Sequence, residues 1–266
     1  MNPSLTLCLA ALLPALTASA QDWAKARLDK SPRHLEWVKV KQGQREVNCF
    51  VAYPEVKDKA TVVILIHEIF GLTDWVRDVA DRLAEAGYIA IAPDLLSGTA
   101  PGGGGTAELG GADAVRKAIS SLPPEQITAD LTAVANYAAQ LPACNGQLTV
   151  GGFCWGGSQT FRFATNDKRL KAAFVFYGTA PEAEQELARI ACPVYGFYAG
   201  NDARVTATVP QTTKLMTKVG KEYEPKTYDG AGHGFMRAGE APDASTANRQ
   251  ARDAAWRRCL ELLKKI

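Results

Sequence analysis

Long apolar runs, histidine and any imbalance of charge are scarce in this chain, and each scarcity removes a class of function. Lys and Arg number 30 against 28 Asp and Glu in 266 residues, a formal net charge of +2. So even a balance offers no basic field for a phosphate backbone, which excludes nucleic acid as the main partner. Only three histidines occur (His34, His67, His233), far apart in sequence, and no two cysteines have C-x-x-C spacing. No metal site is expected. There is no G-x-x-x-x-G-K-[ST] phosphate loop, and Gly102–Ala107, which fits G-x-G-x-x-A, has no strand leading into it. It reads as a plain loop, so no cofactor is expected. With 47% hydrophobic and 22% charged residues, disordered and fibrous classes are excluded too.

The first twenty residues stand apart. Residues 5–16 are apolar except for Thr6 and Pro14, and Ala18-Ser19-Ala20 follows. This pattern predicts a secretory signal peptide, residues 1–20, cut before Gln21. No Lys or Arg precedes the run, which leaves an uncleaved membrane anchor as the alternative. After residue 21 no apolar run approaches the ~20 residues needed to span a bilayer. The expectation is a secreted or periplasmic protein with no stable membrane insertion, and a monomer. Of six cysteines, Cys8 falls in the leader and Cys49, Cys144, Cys154, Cys192 and Cys259 remain. An odd number leaves at least one thiol unpaired, and the pairing of the others stays open.

Residues 35–41 and 46–53 read as a hairpin around Gly43 at a sheet edge. Residues 61–67 form a mostly β-branched run with no polar residue between Thr61 and His67, as in a strand covered on both faces. Further strands are expected at 88–92, 147–151, 171–177, 193–199 and 222–228. Helices are expected at 75–86, 127–140, 156–164, 183–190, 209–219 and 245–265. Pro101 and the glycines after it read as a flexible loop beside an entrance. Alternating strands and helices with short connections give an α/β fold, a mostly parallel central sheet with helices on both faces. No linker or repeat divides residues 21–266, so they form a single domain.

Gly152-Phe153-Cys154-Trp155-Gly156 lies between a strand and a helix. It has the G-x-S-x-G pattern with sulfur in place of the serine oxygen. The glycines permit a sharp turn, and a helix N-terminus favours a thiolate. Taken alone, the motif fits a small buried cysteine in a tight turn equally well. Asp202 follows the strand at 193–199, and His233 lies in a loop after the last strand. Nucleophile, acid, histidine is the chain order of α/β-hydrolases. Taken singly, Asp202 would be a turn former, and His233 a loop residue. Together they are harder to dismiss. His34 is expected at the surface and His67 as a hydrogen-bonded core residue.

At this point the chain resembles a known family. His67-Glu68-Ile69-Phe70-Gly71, Arg77 to Ala84, Pro93-Asp94-Leu95, Gly152 to Gly157 and Gly232-His233-Gly234-Phe235 are similar to the dienelactone hydrolases (carboxymethylenebutenolidase-like). The resemblance runs from about residue 35 to the end and implies an α/β-hydrolase fold. It implies Cys154 as nucleophile, His233 as general base and acid, and Asp202 as the group fixing its tautomer. The amides of Ile69 and Trp155 would form an oxyanion hole. Glu68 would be a fourth catalytic carboxylate that contacts the thiol. Arg237 would bind a substrate carboxylate, its guanidinium suited to bidentate capture. The competing expectation is that Arg237 pairs with Glu240 on the surface. A second family arginine has no clean counterpart; Arg116 is nearest, about one helical turn off, and Gly234 stands where serine is usual.

The reading is a carboxylic ester hydrolase that opens a small ester or lactone through a Cys-His-Asp triad and a thiol acyl-enzyme. A broad carboxylesterase on the same site is the nearest alternative. A non-catalytic ligand-binding protein of the same fold is the alternative from another class.

Overall fold

The computed structural model describes residues 21–266, so the expected signal peptide lies outside the described residues. Eight strands form one sheet of order β1-β2-β4-β3-β5-β6-β7-β8. They are β1 (Leu35–Gln42), β2 (Arg45–Ala52), β3 (Ala60–Ile66), β4 (Ile89–Pro93), β5 (Cys144–Phe153), β6 (Leu170–Phe176), β7 (Val194–Ala199) and β8 (Tyr223–Tyr228). Only β2 runs against its neighbours. The expected edge hairpin is present. Gln42 pairs with Arg45, and Gly43 makes the two-residue turn with φ 59°.

Each face of the sheet carries its own core, and β3 shows why its sequence is apolar from Val62 to Ile66. Val63 and Leu65 point to one side, where α2 (Asp74–Glu85) and α10 (Thr246–Leu263) bring Trp75, Val79, Ala255 and Leu262. Val62, Ile64 and Ile66 point to the other, against Leu131 and Val134 of α4 (Pro124–Ala139) and Phe161 of α5 (Trp155–Ala164). A period of two with both faces covered leaves no position for a polar side chain between Val62 and Ile66.

Several short helices escape the sequence reading. They are α1 (Asp22–Leu28), α3 (Ala112–Ser120), α7 (Ala203–Thr206) and α9 (Phe235–Ala238). α3 buries only Val115 and Ile119, too narrow a stripe to register as periodic. The helix expected at 183–190 is only α6 (Glu184–Leu187); α8 is Val209–Lys218. The glycine loop is tied down. The Thr106 N–H and hydroxyl donate to the two Asp94 carboxylate oxygens at 2.8 and 2.7 Å, and the Leu72 N–H donates to the Thr106 hydroxyl at 3.1 Å.

Candidate active site

β5 ends at Phe153 and α5 begins at Trp155, so Cys154 is the single residue of the turn between them. Its φ of 57° and ψ of −118° are rare for an L-residue, a strain of about 1–3 kcal/mol that the surroundings must hold. Gly152 and Gly156 permit the turn. A Cβ at Gly152 would lie 2.4 Å from the Gly156 carbonyl oxygen, and one at Gly156 would lie 2.2 Å from that of His67. Neither backbone can retreat, because each belongs to the packed sheet or its turn.

The same design places the partners. Asp202 and His233 both stand in loops just past the C-terminal ends of β7 and β8. His233 Nδ1 donates to Asp202 Oδ2 at 2.5 Å, and His233 Nε2 lies 3.1 Å from Cys154 Sγ. Asp202 Oδ1 also accepts from the Val205 N–H at 3.4 Å, which caps α7 and fixes the carboxylate. The hydrogen bond to Cys154 and then that to Asp202 push His233 up to about 8, against the opposing effect of burial. Three residues distant in sequence form one connected line.

All five cysteines among the described residues are free thiols, and Cys154 alone is not buried. Burial pushes Cys192 and Cys259 up to about 12 and Cys49 further still. A thiol held protonated in apolar surroundings is inert. Only Cys154 has both a route to solvent and a base beside it.

Glu68 follows the end of β3 and is buried, its Oε2 accepting from Arg237 Nε at 2.7 Å. Burial pushes its carboxyl up, while the Arg237 guanidinium pulls it down. Glu68 thus sits on the arginine, and no hydrogen bond joins it to Cys154 among the described residues. The expected surface pair of Arg237 with Glu240 does not form. The Glu240 side chain is buried and taken by Arg27 and Arg82. Arg116 pairs with Asp113 on the outside of α3. Among the described residues the amides of Ile69 and Trp155 donate to no loop or turn carbonyl, and Trp155, first residue of α5, has no intrahelical acceptor. Both are available to an oxyanion.

The two other histidines behave as expected. His34 is exposed, 3.6 Å from Glu36. His67 is fully buried, with Nδ1–H donating to the Glu68 carbonyl at 2.9 Å and Nε2 accepting from the Leu95 N–H at 3.3 Å. Its ring stacks on Trp155 at 5.5 Å. Tyr177 is the site residue that sequence reasoning missed. Its φ is 41°, its ring meets that of His233 edge-on at 5.1 Å, and its hydroxyl is buried. Burial, and then the charge of Glu68, push that hydroxyl up. Its position one residue past the end of β6 was the available signal. Leu96, Val115 and Ile119 form a small apolar cluster with Ile69, Leu109 and Trp155 beside the turn. Among the described residues no group of three or more His, Cys, Asp or Glu could hold a metal ion, and no helix is long and apolar enough to cross a membrane.

Residues 47–266 match the family model described as "Dienelactone hydrolase family". The chain belongs to the dienelactone hydrolase family. It is therefore a hydrolase of the carboxylic ester class. A Saccharolobus solfataricus protein named "Putative carboxymethylenebutenolidase" is 30% identical over 254 residues, covering 83% of this chain and 95% of that one. A Synechocystis protein of the same name is 32% identical over 228 residues, covering 81% and 90%. Among solved structures, the "Putative Dienelactone Hydrolase" of Klebsiella pneumoniae superposes with a TM-score of 0.76 at 26% identity, covering 88% of this chain and 99% of its own. The α/β-hydrolase fold expected from the elbow, the chain order of Cys154, Asp202 and His233, and the family resemblance is the one the chain adopts.

Proposed function

We propose that this dienelactone hydrolase homologue opens small esters or lactones through a Cys154 acyl-enzyme. The observation that carries the proposal is the line from Asp202 through His233 to Cys154. Cys154 Sγ passes its proton to His233 Nε2 and attacks the carbonyl carbon, and the Ile69 and Trp155 amides stabilise the oxyanion. The carbon–oxygen bond of the leaving group breaks, and His233 Nε2 gives it a proton. Water then attacks the thioester while His233 takes its proton; the carbon–sulfur bond breaks, the acid leaves, and His233 returns the proton to Sγ. A lactone leaves as one hydroxy acid. Mass spectrometry of the protein quenched with a slow acyl substrate should show one added acyl group on Cys154. Turnover without any adduct, or an adduct elsewhere, would sink the mechanism.

Arg237 orients an acidic substrate in this reading. Its Nε is held by Glu68, and its two Nη groups make no other hydrogen bond among the described residues. Replacing it with alanine would strand the buried Glu68 carboxylate and blur the test. Arg237→Lys keeps a positive charge there and loses the planar fork. Losing such a charged hydrogen bond costs about 1.5 kcal/mol, roughly tenfold. Turnover efficiency on an acidic ester should fall by that order, with its neutral methyl ester changed by less than about threefold. Equal losses on both would assign Arg237 to holding Glu68 alone. A broad carboxylesterase is the second reading, favoured by the apolar cluster beside the turn and the outward-facing Arg116.

Residues 1–20 are proposed to direct export, placing the working enzyme outside the cytosol as a monomer. Sequencing of protein recovered from the periplasm or medium should begin at Gln21. Recovery from cytosol alone, with Met1 intact, would overturn this.

A further inference from the structure

The catalytic histidine and Arg237 ride on one short segment, and the structure shows what holds its far end. After His233 the chain makes the four-residue helix α9, then Gly239 and Glu240. The near end is fixed by the Gly232 N–H donating to Asn248 Oδ1 at 2.9 Å. At the far end the Glu240 side chain is wholly buried. Its Oε1 accepts from Arg82 Nη1 of α2 at 2.5 Å, and its Oε2 accepts from Arg27 Nη2 of α1. Both guanidiniums are held in turn. Arg82 lies over the Trp256 ring at 4.5 Å, and Arg27 over Trp23 at 4.7 Å. Arg27 Nε also donates to Asp78 Oδ1 at 2.9 Å.

A carboxylate this deeply buried is tolerated only with both oxygens satisfied by charge. The helical turn it closes is too short to keep its own shape, since an isolated turn gains one hydrogen bond for several fixed dihedrals. Phe235 and Met236 bury α9 on the core, and the Glu240 anchor fixes the end beyond them, and with it the approach of His233 to Cys154. We propose that Glu240 is a positioning residue for the His233–Arg237 segment, and that α1, through Arg27, is the strap that holds it. This rests on the reading of Cys154 and His233 as a working pair. It gives α1 a role in the site, about two hundred residues from His233 by sequence.

The test is the rate at which iodoacetamide alkylates Cys154 at neutral pH, with the melting temperature read alongside. Arg27→Gln and Glu240→Gln should each slow alkylation by about tenfold, a part of the roughly hundredfold that a 1 Å misplacement can cost. The double variant should be no slower than the slower single one, because both break one link. Arg27→Lys, which keeps a cation, should recover part of the rate. Arg33→Gln is the matched control. It breaks another buried pair from the N-terminal segment to α2, with Asp81 at 2.6 Å, and does not reach Glu240. It should lower the melting temperature while leaving alkylation within about twofold. Unchanged alkylation in Arg27→Gln and Glu240→Gln, or equal slowing in Arg33→Gln, would overturn the proposal. The wild-type rate, set against the four buried thiols, reports on the pair itself, so the two readings fail separately.

Discussion

Cys154→Ala should lower kcat/KM on every ester or lactone the enzyme accepts by at least about four orders of magnitude, the scale on which a nucleophile in a triad is lost. The fold should survive it. The side chain is small and only partly buried, and the φ of 57° is the strained element of the turn. Cys154→Gly makes the point more sharply, since glycine adopts positive φ without steric penalty. It should be as inactive as the alanine variant and melt no lower than it. Kinetics on one slow and one fast ester, with calorimetry on each variant, decide the matter. If either variant kept more than about a hundredth of wild-type activity, the nucleophile would lie elsewhere.

The elbow was legible in sequence because its demands are local. Gly152 and Gly156 are needed where a Cβ would strike backbone, so the motif carries its own geometry. The chain order of Cys154, Asp202 and His233 was legible because each follows a strand, and strand ends on one edge of a parallel sheet converge. The strands themselves announced their double burial through apolar runs such as Val62 to Ile66 of β3. What escaped depends on pairs that have no local pattern. Glu240 looked like a surface carboxylate because nothing near it in sequence is its partner; Arg27 lies 213 residues away and Arg82 158. Tyr177 looked like the last residue of a buried strand, and only its positive φ and the His233 ring beside it distinguish it. Glu68 was legible as a site residue, whereas its attachment to Arg237 emerged only from the fold.

Asp202→Asn is expected to have the next largest effect, and it separates orientation from charge. The amide keeps the shape of the carboxylate and can still accept from the Val205 N–H, so α7 should stay capped. It can also donate to His233 Nδ1, which favours the tautomer with its proton on Nε2. That tautomer cannot accept a proton from Cys154. A triad so altered loses about 10⁴ in turnover, and the same order is expected here. The change also removes a negative charge that helps hold His233 up near 8. The linked stability has a definite sign. With its pKa raised above the unfolded value, His233 stabilises the fold fully below about pH 6.5, and that contribution is lost as pH rises through about 8. Urea midpoints of wild type should therefore fall relative to those of Asp202→Asn between these pH values, and the gap should be flat below them. A gap of unchanged size across that window would mean that Asp202 does not tune the histidine. Activity lost without any change in the gap would leave Asp202 a purely orienting role.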